Sequence, residues 1–469
     1  MSMAQPAQTS SDAAAASTSN SPIVTRHLER TPGSAALAEK ARLMLPSGIA
    51  HDARYLQPYS IYTEEALGSR KWDVDGNEYV DYFGGHGAHI LGHNPPAVID
   101  AVRDALEKGT QFGTNHPLEV EWARMVQRLI PCAERVRFTS SGTEATHMAL
   151  RLARAHTGRP RIARFMTHFH GWHDHMTGGY TNHFDGTPTP GVLPEVAAGT
   201  ALVPPGDLDA MAAALRKGDI AAVIVEPTGG SFGKVPLRPA VLQTLRDLTS
   251  ETGTVLIFDE VITGFRVSPG GAQAALGVTP DMTTLAKILA GGLPGGAVVG
   301  RRDILDALDF QAMAAAGREK IDHPGTFNAN PVSAAAGIAI LNCIAAHDVC
   351  GRANAYGARL RAGMNDVLRR HKLAWAVYGE YSGFHIFTNA AGLDITPDSF
   401  DPHALPYDVL KRGLTGLNNK LRLGFLNHGV DIGGWPGGLT SAVHDDADLD
   451  VTLDAFDRVL ADLRREDEI

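Results

Sequence analysis

The chain has 469 residues, 44% of them hydrophobic, and 50 glycines, a globular profile long enough for one large domain and a smaller one. A formal net charge of −10 argues against a nucleic-acid partner, and no apolar run approaches the length of a membrane span. Cys132, Cys343 and Cys350 show neither zinc-site spacing nor a disulfide framework and fit a reducing, cytoplasmic setting.

Residues 1–25 are rich in Ala, Ser, Gln and Thr, with no basic region leading into an apolar one, and read as a disordered tail rather than a signal peptide. Residues 28–45 have helical spacing that ends at Pro46-Ser47-Gly48. Asp75-Gly76-Asn77 between two alternating runs predicts a hairpin, and its glycine falls too early for a calcium loop. A glycine-rich loop follows at 84–95 and carries His86, His89 and His93. No acid cluster accompanies these histidines, so they read as loop residues and lining of a substrate pocket.

From about 86 to 335, apolar runs alternate with helical stretches. Candidate strands lie at 136–138, 162–165, 221–225, 255–258 and 296–299, with candidate helices at 145–155 and 239–252. The pattern predicts an α/β fold: a mostly parallel sheet with helices on both faces. After about 340 the chain changes character, with an Arg-rich helix, short apolar runs at 375–378 and 383–387, and a last helix at 449–465. This predicts a smaller α+β domain at 336–469, joined by 26–85, beside a large domain at 86–335.

The chemistry centres on one run. Val255-Leu256-Ile257-Phe258 reads as a buried parallel strand that delivers Asp259 and Glu260 at its C-terminal end, where open α/β sheets bind ligands. Lys287 follows, embedded in Leu285-Ala286 and Ile288-Leu289-Ala290. Burial disfavours its ammonium and lowers its pKa, as a Schiff-base lysine requires. Acid and lysine together suit a pyridoxal phosphate (PLP) site; a strand-end acid and a snorkelling lysine are the structural alternative. Ser141-Gly142-Thr143 at a strand-to-helix turn suits a phosphate, or an ordinary helix cap. Glu226 ends another apolar run, as a supporting acid or a capper, and Thr326 sits in a second small-residue loop. His168, Phe169, His170, Trp172, His173 and His175 invite a metal reading, but the acid falls out of place for a binuclear site, and an aromatic–His platform against a planar cofactor is the better account.

In order, Asp73-Val74-Asp75-Gly76, Leu91-Gly92-His93, Ser141-Gly142-Thr143-Glu144-Ala145, Phe169-His170-Gly171, Glu226-Pro227, Asp259 through Arg266, Lys287 and Gly325-Thr326-Phe327 resemble the class III, fold-type I PLP aminotransferases over nearly the whole chain. Within the class the chain resembles the glutamate-1-semialdehyde aminomutase branch. The text Phe83-Gly84-Gly85-His86-Gly87-Ala88 and Gly429 through Gly434 is nearer still to the D-phenylglycine aminotransferases.

The resemblance implies a homodimeric PLP enzyme. Lys287 would bind the cofactor as a Schiff base and shuttle a proton, Asp259 would pair with the pyridine nitrogen, and Phe169 and Val261 would sandwich the ring. Ser141, Gly142 and Thr143 would hold the phosphate with Thr326 of the other subunit; His170 and Glu226 would support the cofactor; Arg54, beside His86, would take a substrate carboxylate. Two departures stand out: Phe169 occupies a position that is usually tyrosine, and 433–441 lacks the carboxylate of the aminomutase branch. The expectation is a ping-pong aminotransferase passing the amino group of an amino acid, aromatic or D-configured donors included, to a 2-oxo acid such as 2-oxoglutarate. The rivals are an aminomutase, a metal-dependent hydrolase built on the 168–175 histidines, and a PLP-binding protein without catalysis.

Overall fold

The computed structural model describes residues 20–469. Most of the tail expected at 1–25 lies outside them, but its end does not: helix Pro22–Arg30 begins at Ser21, whose side chain caps it. The single helix expected at 28–45 is two, Pro22–Arg30 and Pro32–Arg42. Thr31 leaves helical geometry between them, because Pro32 can neither donate a hydrogen bond nor tolerate a helical predecessor.

Three strands follow, β1 (Thr63–Leu67), β2 (Arg70–Asp73) and β3 (Glu78–Asp81), and the expected hairpin joins β2 to β3. The main sheet is built from β4 (Arg135–Thr139), β5 (Arg161–Phe165), β6 (Thr200–Val203) and β7 (Ile220–Val225). After the short β8 (Val235–Pro236), β9 (Val255–Asp259), β10 (Met282–Ala286) and β11 (Gly296–Gly300) complete it. Its order is β4-β11-β10-β9-β7-β5-β6, and only β11 runs against its neighbours. β7 and β9 are buried along their whole length, hence their unbroken apolar text.

Sequence reading missed β6 and β10. In β10 the paired Thr283 and Thr284 disguise a fully buried strand. The Thr283 hydroxyl is satisfied by the Gln273 Nε2 donor at 3.0 Å and the Cys132 thiol at 3.2 Å.

The remaining strands are β12 (Ala376–Tyr378), β13 (Gly383–Phe387), β14 (Val430–Asp431) and β15 (Gly437–Leu439). β14 pairs in parallel with β3, and Ile23, Val24, Tyr79 and Val80 share one core with Leu360, Leu421, Phe425, Phe456 and Leu460. Described residues from both ends of the chain are therefore packed into one core. Helix Pro331–Ala346 runs through the expected boundary at 335/336. It packs on helices Pro96–Leu106 and Pro117–Leu129, which accounts for its apolar composition. No single helix among the described residues is long and apolar enough to cross a membrane.

Candidate active site

The parallel strands end at a common edge. Asp259 is the last residue of β9, and Lys287 follows β10. Glu226 follows β7, and Ser140-Ser141 follows β4. Gly296 of β11 aligns the edge, pairing with Ala286 on one side and Thr139 on the other. A Cβ on Gly296 would lie 2.4 Å from the Ser141 carbonyl, so only glycine lets the 141–143 turn sit this close.

Asp259 is only 5% exposed. One carboxylate oxygen accepts from Val261 N at 3.1 Å and Thr284 Oγ1 at 3.2 Å; the other accepts from His170 Nδ1 at 2.7 Å. Register explains Thr284, which stands opposite Asp259 in the β9–β10 pair. Burial pushes the Asp259 carboxyl up to about 6. Burial holds His170 well below the usual histidine range, so a neutral ring donates its Nδ1 proton, leaving Nε2 buried without a partner among the described residues. Burial also brings the Lys287 ammonium down to about 8, against the pull of Asp259 and Glu226. Lys287 sits at φ 52°, a left-handed conformation that costs a non-glycine residue energy and marks a position held by its surroundings.

At the third corner, helix Gly142–Thr157 starts from Ser141, whose hydroxyl accepts from Glu144 N at 3.2 Å. The Glu144 carboxylate in turn accepts from Ser140 N at 2.7 Å. Gly142 N and Thr143 N, the first donors of this 16-residue helix, have no acceptor among the described residues, the condition in which a helix N-terminus takes an anion. A Cβ on Gly142 would come within 3.0 Å of Val261, so the 141–143 turn and Val261 are close neighbours. A phosphate-bearing aldehyde on a pyridine ring fits this set: free N–H groups for the phosphate, a buried acid for a ring nitrogen, and a lysine depressed toward its neutral, nucleophilic form.

The other expected residues fall into separate roles. Glu226 accepts three backbone N–H groups, from Phe169 at 2.7 Å, Ser231 at 3.0 Å and Phe232 at 3.2 Å. It therefore sets the position of Phe169, whose ring is 46% exposed and packs on Tyr180 at 5.0 Å. Thr326 is on an exposed loop, and its carbonyl accepts from Gln111. Glu260 turns inward to Thr263, Ala272 and Gln273. The 168–175 histidines diverge: the His168 ring accepts from Glu226 N, His170 serves Asp259, His173 stacks on His147 and His175 meets Arg154. Among the described residues no set of three or more His, Cys, Asp or Glu could hold a metal ion, so the hydrolase reading has no converging ligands.

A cavity of about 800 Å³ opens near the site, and Lys287 is not among its lining residues. Arg54, Tyr55, Tyr62, Phe83 and His86 line it. Gly87, next to the lining residue His86, comes close to the lysine: a Cβ there would lie 3.8 Å from Lys287 Cδ. His86 is held at φ 57° between His51, stacked at 4.5 Å, and Phe83, edge-on at 4.5 Å. Burial and the nearby cations lower its pKa to about 4, so its ring is neutral near pH 7. Asp81, missed in the sequence, fixes this turn by accepting from Phe83 N at 2.9 Å and Gly84 N at 3.2 Å. An acid two residues ahead of a glycine run was the available signal.

A family model described as aminotransferase class-III matches residues 51–380. The chain belongs to the class-III aminotransferase family. A glutamate-1-semialdehyde 2,1-aminomutase of Methanocaldococcus jannaschii is 38% identical over 441 residues, 91% of this chain and 97% of that relative. The omega-transaminase of Sphaerobacter thermophilus superposes with a TM-score of 0.83 at 33% identity, covering 93% of this chain and 99% of its own. A transaminase solved with PLP bound gives 0.81 at 32% identity, with the same coverage. The fold is thus the fold-type I α/β architecture, and this class-III aminotransferase is a PLP-dependent enzyme.

Proposed function

We propose that this class-III enzyme is a two-substrate aminotransferase. An amino acid leaves its amino group on the enzyme and departs as an oxo acid, and a 2-oxo acid such as 2-oxoglutarate then collects the group. Bound PLP supplies an electron sink that acidifies the substrate Cα–H. Lys287 holds the cofactor and moves the proton; Asp259 keeps the ring nitrogen paired. Ser141, Gly142 and Thr143 hold the phosphate, and Phe169, Val261 and His170 enclose the ring. Glu226 steadies Phe169, while Arg54 and His86 face the substrate. We further propose a homodimer in which Thr326 of one copy completes the phosphate site of the other.

One observation carries the choice of two substrates. The 433–441 loop has no acid, and the nearest one, Asp431, is bound to Lys71 Nζ at 2.5 Å and so is unavailable to an amino aldehyde. The second reading, a glutamate-1-semialdehyde 2,1-aminomutase, rests on the name of the 38%-identical relative, and that name supports it more directly than the comparisons support a D-phenylglycine donor. A panel of D- and L-amino acids, followed by the visible absorbance of the holoenzyme, separates the two. Bleaching by one donor and recovery with 2-oxoglutarate is the result expected. Product from an amino aldehyde with no acceptor present would establish the aminomutase instead.

A further inference from the structure

Arg266 closes the turn that follows Asp259, and it is only 1% exposed. None of its donors meets a carboxylate. Nη2 donates to the Gly87 carbonyl at 2.6 Å, and Nη1 donates to the Thr440 carbonyl at 3.0 Å and to Ser382 Oγ at 3.2 Å. Nε is buried without a partner among the described residues. The guanidinium thus gathers three segments far apart in sequence: the Gly84–Gly87 turn that carries His86, the residue ahead of β13 and the residue behind β15. The last two are already joined, with Thr440 N donating to the Ser382 carbonyl at 2.7 Å.

Arg266 and Lys287 meet the same glycine. A Cβ on Gly87 would lie 4.0 Å from Arg266 Nη2 and 3.8 Å from Lys287 Cδ, so both cationic side chains border one residue. A buried cation with no carboxylate is costly, and beside a lysine it disfavours that lysine's ammonium. Lys287 is faced by Asp259 from β9, by Glu226 from β7 and by His86 from the turn. The two acids raise its pKa, and Arg266 works against them.

We propose that Arg266 is a positioning residue for Lys287: it holds the Gly84–Gly87 turn and the backbone at 382 and 440 around the lysine, and it keeps a buried positive charge beside that side chain. The charge offsets Asp259 and Glu226, which on their own would hold the amine protonated and unreactive toward an aldehyde. The role rests on the reading of Lys287 as the cofactor lysine.

The pH profile of cofactor loading tests it on the full chain stripped of PLP, followed as growth of the visible band. Ionisations of free PLP are common to every variant, so a shift between profiles belongs to the protein. In the unaltered chain loading is half-maximal at a pH of about 8. R266Q, which carries no charge, moves that midpoint up by about 1 pH unit, while R266K, which carries one, leaves it within about 0.3 unit. Lysine reaches fewer acceptors than a guanidinium, so R266K loosens the turn around Lys287, and equilibrium dialysis shows PLP held about 3- to 10-fold more weakly. A midpoint unmoved in R266Q, a midpoint moved as far in R266K as in R266Q, or undiminished PLP retention in R266K each overturns the proposal. If R266Q does not fold, R266K decides, by a midpoint displaced by about 1 unit or by undiminished retention. Failure of the lysine reading shows separately, as a Lys287→Ala chain that still gains the band.

Discussion

Lys287 and Asp259 are tuned in opposite directions by the same burial. The lysine is eased toward its neutral form near 8, and the carboxyl is raised to about 6, so both groups change charge close to neutrality. Lys287 must shed its proton before it can attack an aldehyde. Cofactor loading into the stripped protein is therefore expected to speed up as pH rises toward about 8 and to level off above it, followed by the growth of visible absorbance after mixing with PLP. Lys287→Ala is expected to remove the lysine-linked visible band and to lower turnover by at least roughly 10³-fold, since it deletes both the attachment point and the proton carrier. Asp259 carries a sign that can be checked. Its folded-state pKa lies above the unfolded one, so it favours folding while protonated; that contribution is full below about 4 and is lost as pH rises through about 6. Asp259→Asn is thus expected to raise the melting temperature of the cofactor-free protein at pH 8 while cutting kcat by roughly 10²-fold or more. A variant that lost stability at pH 8 would show that the hydrogen bonds from Val261, Thr284 and His170 outweigh the burial of the charge.

At the scale of elements, the site is an edge built by strand register. Apolar text exposed β7 and β9, and with them Glu226 and Asp259, because a strand buried on both faces needs no polar residue. β10 escaped, because its buried threonines find partners only in the fold, and so Thr284, opposite Asp259, went unseen. Spacing placed Glu226 near the site, but its three backbone donors come from loops 57 residues upstream and 5–6 downstream, and no sequence pattern announces that convergence. The role it points to is mechanical. Glu226→Gln turns one accepting oxygen into an amide that faces N–H donors, so a loss of about 1–3 kcal/mol in stability is expected, together with weaker cofactor retention as Phe169 loosens. Thermal unfolding and equilibrium dialysis of PLP read the two effects. Unchanged cofactor affinity in a destabilised variant would confine Glu226 to the fold.

At the scale of the whole molecule, Ile23 and Val80 from one end of the chain share a core with Leu421 and Phe456 from the other. The helix through 335 was not legible in the sequence, because its apolar face is needed by partners some 200 residues earlier. Thr326 is exposed, with its carbonyl held by Gln111. Phe112, Phe327 and Phe310 are exposed as well. Complementation decides whether Thr326 serves its own site or its neighbour's. In a mixed dimer of Lys287→Ala and Thr326→Ala chains, a threonine acting across the interface leaves one site wholly intact: the Thr326→Ala chain keeps its lysine and receives the threonine of the other copy. Random mixing then restores roughly a quarter of the normal sites, read as activity at a PLP level that saturates the unaltered enzyme but not the Thr326→Ala homodimer. A threonine acting within its own chain leaves every mixed dimer with one dead site and one weakened one, and mixing then adds nothing to the sum of the parents.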